Sequence, residues 1–325
     1  MLSIFLDQNH WIALSRTYYG RPNHCQHIEA LHVLTSKVQT GEVILPLQIS
    51  HLVEFSRSNN EARRNRLARV FEEFSQNWFF APWSSILPFE LSFAVAKTFG
   101  TKETLPKPQV FGEGVLFSLG ARARQELLAS GKLSLGLEFH EQLASYPGAL
   151  LDLLTFPNED GRKTQVAKDR ERRKRYAAAW QQTRDSRDPL EQSQREQAAM
   201  YTFEHQGELQ RRLIAAGKAF DDFVALGPEG MSDFFDNVPT LDVDRTLSIY
   251  RNRQWTRQVE GNDLNDLGYL ALAIPYCDVV LVENFWGHAI RSLYLDAKYG
   301  TQVFTDIGEL VGYLKGEIRD RKPFI

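Results

Sequence analysis

Short apolar runs alternate with longer amphipathic stretches at both ends of the chain. Leu2 to Leu6 is too brief for a helix and ends at an acid, so it predicts a strand. Asp7, Gln8 and Asn9 are helix-capping types placed just before His10-Trp11-Ile12-Ala13-Leu14. A second helix is expected over about 24–37, with Ile28, Leu31 and Leu34 on one stripe. Val43-Ile44-Leu45, closed by Pro46, predicts a second strand. The next helix carries Ile49, Leu52, Val53 and Phe55, with Glu54 between apolar neighbours, and a more charged helix follows over 60–74. Trp78-Phe79-Phe80 reads as a third strand, and 87–97 as a further helix.

The same rhythm returns at the other end. Residues 263–274 have one apolar helical face, broken by Pro275 and Asp278. Val279-Val280-Leu281-Val282 is β-branched and uncharged, the pattern of a strand buried on both faces. A helix over 285–297, a strand at Gln302-Val303-Phe304 and a last helix capped by Thr305-Asp306 complete the pattern. Alternating strands and helices imply an α/β fold around a parallel sheet to which both ends contribute. The expected division is a discontinuous core, 1–98 with 260–325, and a mostly helical insertion over 99–259.

Composition changes this picture little. Of 325 residues 43% are hydrophobic, enough for a sizeable core, and no apolar run is long enough to cross a bilayer. The N-terminal stretch lacks a basic leader and an acid interrupts it early, so it does not read as a signal peptide. The two cysteines, Cys25 and Cys277, lie far apart, which suggests a reducing, cytoplasmic setting and no disulfide framework. His24-Cys25-Gln26-His27 has no second ligand pair at zinc spacing and reads as a helix start. The net charge is −3, so any nucleic-acid contact must come from a local patch. That patch is legible. Over 162–175, Arg162, Lys163, Lys168, Arg170, Arg172, Arg173, Lys174 and Arg175 stand with Asp169 and Glu171 as the only acids. A solvated helix face with Asp169 and Glu171 pairing along it is the competing reading.

The acids carry the chemistry. In an open parallel sheet ligands bind beyond the C-terminal strand ends, where strand order reverses. Asp7 follows the first strand directly, Glu283 follows the strand at 279–282, and Glu54 lies on the helix after the second strand. Asp263 and Asp266 are spaced to share a face at their helix start. Massed carboxylates raise one another's pKa, and a hard divalent cation resolves the repulsion. Each acid has a plainer alternative: N-cap for Asp7 and Glu283, a capping arrangement for Asp263 and Asp266, and a surface helix acid for Glu54.

Ile4-Phe5-Leu6-Asp7-Gln8-Asn9, then a strand, Pro46 and a helix bearing Glu54, resembles the opening of PIN-domain nucleases. Asp266-Leu267-Gly268-Tyr269-Leu270-Ala271-Leu272-Ala273 is similar to that family's third acidic helix, and Cys277-Asp278 through Glu283 to its next strand and fourth acidic position. The resemblance covers about residues 1–98 and 260–325. It implies a three-layer α/β/α fold with a central parallel sheet of about five strands. It also implies a Mg²⁺ or Mn²⁺ centre held by Asp7, Glu54, Asp266 and Glu283, with Asp263 beside them, and an endonuclease acting on single-stranded RNA or, less often, DNA. Glu283 stands where the family usually has Asp, and Val282 where it has Thr or Ser.

Substrate contacts would come from Asn9, His10 and Arg57 near the acids, with His51, and from Arg170, Arg172, Arg173, Lys174 and Arg175 in the basic run. Trp11 would offer a stacking face, although an aromatic on a helix is more often core. Arg291 would meet a phosphate or pair with Asp296. The alternatives are a DNA-directed nuclease of a defence system and a catalytically degenerate binding or scaffold protein. An inhibitory partner protein, as in toxin–antitoxin pairs, or a homo-oligomer would also suit the resemblance; a membrane partner would not.

Overall fold

The computed structural model describes residues 1–22, 24–102, 105–130, 148–155, 159–184, 189–254 and 260–317. It divides into two compact units, Met1–Pro82 with Val110–Lys168 and Tyr276–Ile325, and Trp83–Gln109 with Asp169–Pro275.

The first unit is α/β. Its parallel sheet has four strands among the described residues: β1 (Leu2–Leu6), β2 (Val43–Ile44), β5 (Val279–Leu281) and β6 (Gln302–Phe304), in the order β2-β1-β5-β6. The register sets Ile4 beside Val279 and Leu6 beside Leu281. The five-stranded expectation is thus met by four, with a separate antiparallel pair, β3 (Trp78–Phe80) and β4 (Phe111–Glu113). A parallel bridge from Leu47 to Phe79 links this pair to the chain beyond β2. β4 lies in the stretch expected to be helical. Its Gly112 lets the Phe117 ring approach, since a Cβ there would lie 2.6 Å from that ring.

Strand residues alternate in facing. Ile4, Leu6, Val279, Leu281 and Phe304 share one core with Trp11, Leu34, Phe71 and Leu310. The helices around it are α1 (Gln8–Tyr18), α2 (Cys25–Gln39), α3 (Ile49–Ser56), α4 (Glu61–Ser75) and, at the far end of the chain, α14 (Asn284–Ser292), α15 (Leu295–Tyr299) and α16 (Ile307–Leu314). Two expectations need correction. The buried stripe of α2 is Ala30, Leu34 and Val38, while Ile28 is 43% exposed. The helix expected over 285–297 is two helices, because Tyr294 takes the left-handed conformation at φ 57° and breaks it. Segments α6 (Gly120–Ala129) and α7 (Ala149–Thr155) also belong here, and the basic helix α8 (Glu159–Arg184) crosses the division at 168/169.

The second unit is helical among the described residues. It contains α5 (Trp83–Phe99), α9 (Pro189–Ala215), α10 (Phe220–Val224), α11 (Gly227–Phe235), α12 (Pro239–Asn252) and α13 (Asp263–Tyr276). Its core gathers Leu91, Val95, Tyr201, Leu213, Phe223, Phe234, Phe235 and Leu241. Buried Glu90 of α5 accepts the Thr240 N–H and hydroxyl, supplying the N-terminus of α12 with an acceptor. Among the described residues no helix is long and apolar enough to cross a membrane.

Candidate metal centre

Strand β1 is followed along the chain by β2 on one side of it and, much later, by β5 on the other. The reversal of strand order therefore falls between β1 and β5, where a parallel sheet opens a crevice at its C-terminal edge. Asp7 stands one residue beyond β1, and its N–H donates to the Leu281 carbonyl at 3.0 Å, which extends the ladder past the last paired strand residue. Glu283 stands two residues beyond β5. The sheet brings the two strand-end acids to its one switch point.

Both acids occupy N-cap backbone positions, Asp7 at φ −61° and ψ 154°, Glu283 at φ −64° and ψ 155°. Neither makes a side-chain capping hydrogen bond. At the third such junction, beyond β6, Asp306 does cap: it accepts from the N–H groups of Gly308 at 2.7 Å and Glu309 at 3.3 Å. The N-cap role is fully formed at Asp306, whereas Glu283 makes no capping hydrogen bond and Asp7 engages the first N–H groups of α1 only weakly.

Asp7 is the electrostatic centre. Burial first, then the negative charges of Glu283 and Glu54, push its carboxyl up from the ordinary aspartate range to about 7; the N–H groups of Gln8 and Asn9 pull weakly the other way. Glu54 leans on Arg57 at 3.5 Å, both side chains being mostly buried. The exposed Glu283 accepts a short hydrogen bond from the Asn9 amide. Arg57 and Asn9 therefore engage the acids themselves. Among the described residues no group of three His, Cys, Asp or Glu side chains is gathered closely enough to hold an ion as it stands.

The aromatic and histidine neighbours take plainer roles. Trp11 is fully buried, edge-on to Phe71 at 5.1 Å, so it offers no stacking face. His51 is also fully buried. Its Nδ1 accepts the Gln48 N–H at 3.0 Å, and its ring stacks on Phe5 at 5.5 Å, fixing the start of α3 against β1. Burial holds the His51 imidazole down at about 3 and the His10 imidazole at about 4. His10 is therefore neutral at physiological pH, with the Val282 carbonyl beside it, and is too weak a base to draw a proton from water there. Arg291 donates to the Val303 carbonyl at 2.7 Å and so braces α14 against β6.

Asp278, at the other end of β5, holds the start of β1: it accepts from both the N–H and the hydroxyl of Ser3 at 2.7 Å. Asp263 and Asp266 belong to the second unit, in the first turn of α13. Asp263 is buried and accepts the Glu260 N–H at 3.1 Å, a capping arrangement; Asp266 is half-buried. In the basic run Asp169 pairs with Arg172 at 3.2 Å and Arg173 at 3.1 Å, and Arg173 also donates to Asn262 at 2.8 Å. Glu171 lies 3.9 Å from Arg175. Lys163, Lys168, Arg170 and Lys174 are exposed. Both cysteines are free, Cys25 exposed and Cys277 buried.

Comparison of the chain with protein-family models, with curated proteins and with solved structures finds no match.

Proposed function

We propose that the first unit is a PIN-like, three-layer nuclease core, and that Asp7, Glu54 and Glu283 hold Mg²⁺ or Mn²⁺ for hydrolysis of phosphodiester bonds, in single-stranded RNA before DNA. The observation that carries the reading is the carboxyl of Asp7, raised to about 7 by burial and by two further acids at the switch point of the sheet. An arrangement that disfavours its own charge has a physical rationale if a cation arrives to accept it.

The donor set fits such an ion. All three side chains offer hard oxygen atoms, the ligands Mg²⁺ and Mn²⁺ prefer, and no soft sulfur stands with them. When bound, the ion would lower the pKa of a water and neutralise charge on the phosphate in the transition state. The protein groups have distinct tasks. Asp7 is the anchoring ligand, fixed by the backbone bond to β5. Asn9 orients Glu283 and Arg57 holds Glu54; these two are the groups a cation would displace or share.

The test uses single-stranded RNA and DNA of equal sequence, with and without Mn²⁺. Wild type should cleave RNA faster than DNA, only with the ion. Asp7→Asn should lose at least about 100-fold in rate while keeping its fold, because a primary ligand is removed. Cleavage by Asp7→Asn at the wild-type rate overturns the proposal.

A further inference from the structure

A concave site apart from the acids lies on the first unit, in a cavity of about 370 Å³ walled by Arg16, Arg21, Arg63 and Arg66. It is within the range of about 300–1,000 Å³ typical of small-molecule sites. No acidic residue lines it. The arginines arrive from separate places. Arg16 is in the last turn of α1, while Arg63 and Arg66 are in the first two turns of α4. Arg21 is carried back by a turn at Gly20, whose φ of 72° suits glycine, and its N–H donates to the Arg16 carbonyl at 2.8 Å. Arg66 also lies over the Tyr19 ring, 5.8 Å from its centre.

Many of the described arginines elsewhere are paired: Arg57 with Glu54, Arg64 and Arg162 with Glu159, Arg172 and Arg173 with Asp169, Arg211 and Arg212 with Glu208. None of the four around the cavity makes an ion pair with a described residue. Four like charges around one concavity repel, and packing alone does not call for them. The C-terminus of α1 opposes an anion with only roughly half an elementary charge, and the N-terminus of α4 favours one by a similar amount. The guanidinium charges decide the sign.

We propose that this cavity binds a terminal di- or triphosphate group. A single phosphate is satisfied by one or two arginine forks, whereas four forks match a chain of phosphates. Ile12, Leu67 and the Tyr19 ring give the apolar wall against which an attached nucleoside would rest. The group has two possible sources, a free nucleoside triphosphate and the 5′-triphosphate end of an RNA. The site does not depend on the metal centre.

The test is calorimetric titration of the Asp7→Asn protein, without added divalent ion and at fixed ionic strength. The probes are inorganic tripolyphosphate, ATP, and one oligoribonucleotide with either a 5′-triphosphate or a 5′-hydroxyl. Tripolyphosphate should bind saturably, one per chain. Arg16→Ala combined with Arg63→Ala should weaken it at least about 10-fold, since two charged forks are lost. Lys107→Ala combined with Arg253→Ala, exposed elsewhere, should leave it unchanged. ATP as tight as the triphosphate oligonucleotide assigns the site to free nucleotide; a tighter triphosphate oligonucleotide assigns it to RNA ends. Two results overturn the proposal: no saturable tripolyphosphate binding, or equal loss in the two double variants; equal affinity for the two oligonucleotides, with saturable ATP binding, assigns the site to free nucleotide. Arg21→Glu provides a second variant should the double substitution unfold, and it should show at least the same loss.

Discussion

A carboxyl held near pH 7 leaves a signature in stability that can be measured apart from activity. In the absence of divalent ions, Asp7 binds its proton more tightly in the folded chain, at about 7, than in the unfolded chain, near the ordinary aspartate value. Its favourable contribution is therefore complete below about pH 4 and is lost as pH rises through about 7. Asp7→Asn removes the titration. At pH 8 the variant should be more stable than wild type, on the order of a few kcal/mol, and the advantage should vanish near pH 4. Chemical denaturation across that window checks the sign, and a wild type that gains on the variant as pH rises refutes it. A mere capping aspartate would do the opposite, since its charged form would stabilise the helix at neutral pH. At this scale the sequence was partly legible. Position at a strand end singled out Asp7 and Glu283, because the parallel-sheet rule depends only on chain order. His51 was misplaced and Trp11, more often core by its place on a helix, proved to be core, because an aromatic or imidazole ring serves a core and a binding surface equally well, and only packing decides.

At the scale of elements, three strand-to-helix junctions each carry an acid, yet only Asp306 makes well-formed capping hydrogen bonds. Asp306→Ala should cost about 0.5–2 kcal/mol, the ordinary loss for an N-cap acceptor. Glu283→Gln should cost little or nothing and should reduce Mn²⁺-dependent cleavage. Melting curves of the two variants separate the roles; equal destabilisation would mean that Glu283 is a cap. The strands β1, β2, β3, β5 and β6 were legible as punctuated apolar runs. β4 was not, because two apolar residues before a glycine are too short a pattern, and its existence depends on pairing with β3. The stripe of α2 was misread for a related reason. Ala30 carries little hydrophobic weight in a sequence, yet it is fully buried, while Ile28 remains outside.

For the whole molecule, charge is sorted rather than balanced. A net charge of −3 conceals an acidic switch point, a four-arginine cavity and the basic face of α8. The basic run was legible because its residues are contiguous. The cavity was not, because its four arginines are spread over two helices and a turn, and only the packing of α1 with α4 collects them. The exposed part of the run gives the last prediction. Paired arginines such as Arg173 already have partners and contribute less to a phosphate, while Lys168, Arg170 and Lys174 project into solvent. Each contact to single-stranded nucleic acid releases about 0.7 of a counterion, so affinity falls with salt in proportion to the contacts made. Glu at Lys168, Arg170 and Lys174 together should therefore weaken single-stranded RNA binding by the same factor for every sequence. It should also flatten the slope of log affinity against log salt by about 2 if all three touch phosphates. Binding is measured in the Asp7→Asn background, so that cleavage does not consume the probe. A solvated helix face predicts a slope that does not move, and that result would exclude α8 from the nucleic-acid surface whatever becomes of the metal centre.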